Sequence, residues 1–148
     1  MDETQQKWLE LAEQVAKKSL CIRTESQMGV VAVKNNKVIA EGYNGAIGKF
    51  IPCAERGFCI RQKRGIAFGT QREISYCICA EQRLICNAAR SNVNLDGADV
   101  YAKYMPCAVC VRLMSEAGIK HVFYKIKRFE NPFAEELANE AGLKLTKL

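Results

Sequence analysis

The sequence predicts an α/β protein, a mixed five-stranded sheet with helices on both faces, spanning residues 1–148 as one domain. Three observations predict it. Segments of helical and of strand period follow one another in the order α-β-β-α-β-α-β-α-β, which calls for a sheet covered on both sides. At 148 residues, with 49% hydrophobic and 26% charged, the chain is long enough for one core and has the composition of an ordinary globule. No internal repeat or low-complexity segment interrupts it.

The elements follow in order. Leu9, Leu11, Ala12, Val15 and Ala16 recur at helical spacing, so residues 3–19 read as an amphipathic first helix. "MGVVAV" and "KVIAEGY", separated by "KNNK", read as a β-hairpin turning at Asn35 and Asn36. From Asn44 to Ser75 no periodicity appears, and a loop of that length in a compact domain is usually functional. Residues 79–90 resume the helical pattern, and "ADVYAKY" is a strand. Pro106 falls where proline favours the first turn of a helix running to Ala117, and Gly118 is its closing residue. "KHVFYKI" is a strand, "NPFAEELANEAG" a helix with an Asn cap, a first-turn Pro and a closing Gly142, and "LKLTKL" the last strand.

The N-terminal twenty residues carry charges throughout, and apolar runs such as "MGVVAV" are too short to span a bilayer, so we expect a cytoplasmic protein without a membrane partner. In a reducing compartment the eight cysteines point to metal binding or catalysis rather than to a disulfide framework. The formal charge of +6 suits an anionic partner, nucleotide or nucleic acid, and leaves "RQKR" at 61–64 and "KIKR" at 125–128 equally readable as solvated surface.

The chemistry concentrates in two segments. In "PCAVC", Cys107 and Cys110 lie three residues apart at a helix start, which puts both sulfurs on one face at the positive end of the helix dipole. Zinc needs three protein ligands and water in a catalytic site, and Cys79, which also opens a helix, is the third candidate. Glu81, two residues on, supplies a carboxylate able to shuttle protons beside such a metal. A His or Cys, then x-E, then P-C-x-x-C is the signature of the zinc deaminases, and "CAE" at 79–81 with "PCAVC" at 106–110 matches it.

Over residues 21–124 the sequence resembles the cytidine and deoxycytidylate deaminases, and most nearly the deoxycytidylate branch: "EGYNGAIG" resembles its "GYNG" segment, "CIRQKRGIAFG" its loop, and "GADVYAKYMPCAVCVRLMSEAGIKHVFY" its second zinc motif and following strand. The resemblance implies a three-layer α/β/α cytidine deaminase-like fold, a homo-oligomer, and zinc-dependent hydrolytic deamination of a cytosine nucleotide, dCMP to dUMP with release of ammonia. It makes Cys79, Cys107 and Cys110 the zinc ligands, Glu81 the proton shuttle, and Asn44, against the sugar, and Ala80 the substrate contacts. Its partner is a small-molecule nucleotide. The alternatives are a deaminase of a free nucleoside, of another base or of RNA, and a zinc-stabilised binding protein without chemistry. Dependence on a 5′-phosphate separates the first group, and the presence of Glu81 argues against the last.

Two positions depart from the deoxycytidylate branch, which usually has His where Cys79 stands and Asn where Arg83 stands. Three thiolates make the metal a weaker Lewis acid, so a nearby cation would help, and Arg83, at i+4 from Cys79, is the expected donor to them, against an exposed helix arginine. Removing these cysteines and Cys86, read as a small core residue, leaves Cys21, Cys53, Cys59 and Cys77, the number a closed structural zinc site requires. In the resemblance Cys53 and Cys59 fall on loop cysteines, while the last ligand usually lies where this chain has Ser75. The alternative is that Cys21 and Cys77 are free thiols and the loop is pinned by packing. His121, the single histidine, reads as structural; Arg23, Arg61 and Lys63 read equally as phosphate contacts or as solvated loop.

Overall fold

In the computed structural model, residues 1–128 and 131–148 are described. The chain opens with α1 (Glu3–Ala16), capped by Asp2, whose side chain accepts from the Gln5 N–H. β1 (Gly29–Lys34) and β2 (Lys37–Tyr43) form the hairpin, with Asn35 and Asn36 at φ 51° and 56° in the left-handed region their turn requires. A two-residue strand β3 (Gly45–Ala46), the one-turn helices α2 (Cys53–Arg56) and α3 (Ile60–Lys63), and β4 (Cys77–Ile78) lead into α4 (Ala80–Arg90). β5 (Asp99–Tyr104), α5 (Ala108–Glu116), β6 (His121–Ile126), α6 (Pro132–Ala141) and β7 (Lys144–Lys147) complete the fold.

The sheet order is β2-β1-β5-β6-β7, antiparallel at β2/β1 and β1/β5 and parallel at β5/β6 and β6/β7, so the predicted mixed five-stranded sheet is present. Period-two alternation sorts each strand between two cores. Val31, Val33 and Tyr101 face α1 and meet Trp8, Leu9, Ala12 and Val15. Val30, Ala32, Val100, Ala102 and Val122 face the other way, onto Leu84 and Ala88 of α4, Val111 and Met114 of α5, and Ala134 and Ala138 of α6. The result is three layers, α/β/α.

Gly29 and Gly42 let the helices approach. A Cβ on Gly29 would stand 2.3 Å from the Ala12 carbonyl oxygen of α1, and one on Gly42 would stand 2.2 Å from the Ala80 carbonyl oxygen of α4. The first turn of α4, which carries Glu81, is thus seated directly on β2.

Three element boundaries differ from the sequence reading. The first helix ends at Ala16 rather than residue 19: Val15 is its last deeply buried residue, and Lys17, its cap, and Lys18 are exposed. Cys21 therefore lies beyond that helix. Pro106 precedes the Cys107 cap of α5 instead of occupying its first turn; Met105 ahead of it is still engaged with the sheet through Ile126. Within 44–75, read as unbroken loop, single turns of main-chain hydrogen bonds form the short α2 and α3, and Gly45–Ala46 pairs with Cys77–Ile78.

Candidate metal centre and cleft

Cys79 and Cys107 are the caps of α4 and α5, and Cys110 is the third residue of α5, so three sulfurs converge on the positive ends of two helices. Their Sγ atoms lie within 4.8 Å of one another, and among the described residues they form the one group of three or more His, Cys, Asp or Glu donors so close. Gln82 fixes the approach by accepting from the Cys79 N–H at 2.8 Å. Two thiolates on one tetrahedral zinc stand about 3.8 Å apart, given Zn–S bonds of about 2.3 Å, so three soft donors at this spacing fit zinc.

The thiols interact through shared hydrogen bonds. Those from Cys110 and Cys79 hold the Cys107 thiol far below the usual range, while bonding to Cys107 pushes Cys79 up to about 12 and raises Cys110. Glu81 is 3% exposed, and burial, reinforced by the charge on Cys107, pushes its carboxyl up to about 7. A carboxyl tuned there both gives and takes a proton near neutrality.

The centre opens into a cavity of about 510 Å³ that also meets Ser26, Asn44, Phe68, Tyr104 and four arginines, Arg23, Arg61, Arg72 and Arg128. That volume is in the usual range for small-molecule sites.

Arg83 does not reach the thiols. Its Nε donates to the Tyr43 carbonyl at 2.7 Å and its Nη2 to those of Gly45 and Ala46 at 3.0 and 2.9 Å, while its guanidinium covers the Tyr43 ring. The i+4 spacing is right, but the carbonyls where β2 runs into β3 hold the side chain instead. The cation on Cys79 is Arg72, whose Nη2 donates to Sγ at 3.0 Å and which no sequence pattern marks. We expect Arg83→Ala to cost on the order of 2 kcal/mol, since it orphans carbonyls bonded to a charged group, and to leave zinc affinity within about twofold. Urea unfolding and a zinc titration check the two halves.

Asn44 lines the cleft but its carboxamide is engaged: Oδ1 accepts from the Met28 N–H at 2.8 Å and Nδ2 donates to the Ser26 carbonyl at 2.9 Å. It pins residues 26–28 beside the site, leaving one lone pair and one N–H for a ligand. Ala80 is fully buried, so its side chain belongs to the core and its main-chain N–H, in the first helical turn, is the group it can offer. Cys86 is exposed, not in the core: α4 buries Ala80, Glu81, Leu84 and Ala88, and position 86 lies on the opposite face. His121 stacks on Phe123 and bonds Thr146 Oγ1 at 2.6 Å, a structural role as expected. Arg61 is occupied by loop carbonyls, and Lys63 covers the Phe58 ring.

Cys21, Cys53, Cys59 and Cys77 all line the same cavity. Cys53 and Cys77 are 3.6 Å apart at sulfur, and burial, then Cys53, pushes Cys77 up to about 12. Burial raises Cys21 as well, with Cys53 and Cys59 adding to it. The four do not form a ready group of three donors as the first cluster does.

Three layers around a mixed sheet, with a three-cysteine centre on two helix ends and a buried glutamate beside it, define a zinc-centre α/β protein. The family described as "Cytidine and deoxycytidylate deaminase zinc-binding region" matches residues 2–126, and the chain belongs to it. It is 32% identical over 129 residues to ComE operon protein 2 of Bacillus subtilis, covering 87% of this chain and 62% of that one. It is 31% identical over 138 residues to the deoxycytidylate deaminase of Schizosaccharomyces pombe, covering 93% of this chain and 42% of that one. The chain thus spans less than two thirds of these relatives. Its fold matches the crystal structure of the cyanophage S-TIM5 dCMP deaminase in complex with dCMP and dUMP at a TM-score of 0.81 and 23% identity, covering 100% of this chain and 98% of that one. No helix among the described residues is long and apolar enough to cross a membrane.

Proposed function

We propose that this chain catalyses hydrolytic deamination of a cytosine nucleotide, dCMP to dUMP with release of ammonia. The observation that carries the reading is Glu81, buried beside three converged thiols at a cavity that also holds Arg23 and Arg128, neither paired with a carboxylate among the described residues. Cys79, Cys107 and Cys110 would hold zinc, and zinc bound there supplies a Lewis acid that acidifies water. Glu81 takes a proton from the attacking water and delivers it to the ring nitrogen next to C4. A second proton passes through the same carboxyl to the exocyclic amine; the C4–N bond breaks and ammonia leaves.

The 5′-phosphate has its anchor in Arg23 and Arg128. The Arg128 guanidinium lies 4.8 Å from the Phe68 ring and 4.9 Å from the Tyr104 ring, and its Nη2 donates to Ser26 Oγ at 3.4 Å. Arg23 joins the same cluster, 5.7 Å from the Phe68 ring, with a buried Nε that has no hydrogen-bond partner among the described residues. Neither pairs with a carboxylate among the described residues, which suits a ligand anion. We expect kcat/KM for dCMP to exceed that for deoxycytidine by 100-fold or more. Arg128→Ala should erase most of that preference while leaving the slow turnover of deoxycytidine. Equal turnover of the two by the wild type, measured as ammonia release, would move the chain to the nucleoside reading.

We also propose a second, structural zinc on Cys21, Cys53, Cys59 and Cys77. The 3.6 Å between Cys53 and Cys77 sulfurs supports it, being near the spacing of two ligands of one zinc. So does the chain between α3 and β4, which is too exposed to order itself by burial. Metal analysis of protein purified without chelator should give two zincs per chain, and Cys53→Ser should give one. A single zinc in the wild type would refute the second site.

A further inference from the structure

The loop between α3 and β4 exposes every residue from 67 to 73, so apolar burial does not hold it. Arg61 does. Its Nη1 donates to the Gln71 carbonyl at 2.6 Å, and its Nη2 donates to the carbonyls of Ala67, at 3.4 Å, and Thr70. Thr70 closes the turn by donating from Oγ1 to the Ala67 carbonyl at 2.8 Å, and Gln71 takes the left-handed conformation at φ 44°. The next residue is Arg72. One guanidinium therefore gathers the carbonyls on which the second guanidinium's approach to Cys79 depends.

Charge gives that approach its purpose. Three thiolates around a divalent cation leave a net charge of −1, and Glu81 adds another when ionised. A half-buried centre with uncompensated negative charge binds its metal less well than one whose ligands are hydrogen-bonded by a cation. Among the described residues Arg72 is the one cationic side chain bonded to these sulfurs, at 3.0 Å, because Arg83 is committed to β2 and β3.

We infer that Arg72 is a positioning residue for the metal centre: held in place through the Arg61-bound loop, it donates to the Cys79 thiolate and raises the affinity of the three-cysteine site for zinc. The inference rests on reading those cysteines as zinc ligands, and the test separates the two. Zinc dissociation constants are measured on the full chain by competition with a chromophoric chelator, following the component that Cys110→Ser abolishes. Wild-type protein lacking such a component sinks the ligand reading and this inference with it.

With the component present, Arg72→Ala should weaken zinc binding about 10–100-fold, the usual effect of removing a partner of a metal ligand. Arg72→Lys, which keeps the charge and loses the fork, should fall between. Arg61→Ala should weaken binding less than Arg72→Ala and add nothing in the Arg72→Ala background, because it acts through the same contact. If Arg72→Ala does not fold by circular dichroism, Arg72→Gln takes its place. Zinc affinity within twofold of wild type for the uncharged variant, or an Arg61→Ala effect that adds in full to it, overturns the inference.

Discussion

Glu81→Gln will bind zinc as the wild type does and keep its circular dichroism spectrum, yet lose roughly 10²–10⁴-fold in kcat toward dCMP, the contribution of a positioned general acid–base group. The substitution preserves shape at a site only 3% exposed, so packing around Ala80 and Leu84 is undisturbed. What it removes is the ability to take a proton. Burial holds the carboxyl up near 7, where it exchanges protons with water and substrate at little cost in either direction, and an amide has no such state. The loss should fall on kcat and leave KM nearly unchanged, since cleft residues such as Arg23 and Arg128 are untouched. A variant within tenfold of the wild-type rate, by ammonia release under saturating dCMP, would remove Glu81 from the proton path.

The sheet and the first metal cluster were legible in the sequence because both are written at short range. Val30 to Val33 alternate between two cores, and Cys107 and Cys110 need one helical turn to meet. The approach of Cys79 was readable because α4 and α5 each begin with a cysteine, which puts both at helix starts. Arg72 was not readable. Its place depends on Arg61 collecting carbonyls across ten residues of loop, and a carbonyl leaves no trace in side-chain pattern. Arg83 was misread for the same reason: i+4 geometry allowed the thiols, but the carbonyls of Tyr43, Gly45 and Ala46 compete for the same side chain. Arg128 lies beyond the second zinc motif and reaches the cleft because β6 ends beside β5 and Tyr104.

Gly42→Ala should destabilise the protein by about 3 kcal/mol or more, at the upper end of overpacking costs, and lower kcat about 100-fold in the molecules that fold, the effect of a 1 Å misplacement at a reacting centre. A Cβ at position 42 would lie 2.2 Å from the Ala80 carbonyl oxygen, 2.4 Å from the Leu84 nitrogen and 2.8 Å from the Leu84 Cα, all main-chain atoms of α4. Contact requires about 3.5 Å, so helix and strand must part by roughly 1 Å. They are tied on either side of the clash. The Asn87 side chain donates to the Glu41 carbonyl at 2.9 Å, and Arg83 Nε donates to the Tyr43 carbonyl at 2.7 Å. Tilting α4 away breaks one of these bonds and carries Cys79 and Glu81 with it. Gly97→Ala is the comparison, since a Cβ there meets nothing within 4 Å and the residue's φ of 76° alone is strained, a cost of about 1–2 kcal/mol. Urea unfolding of both variants, with ammonia release measured on the folded fraction, decides the matter. A Gly42→Ala protein as stable as Gly97→Ala and as fast as the wild type would mean that the seat of α4 on β2 does not set the geometry of the site.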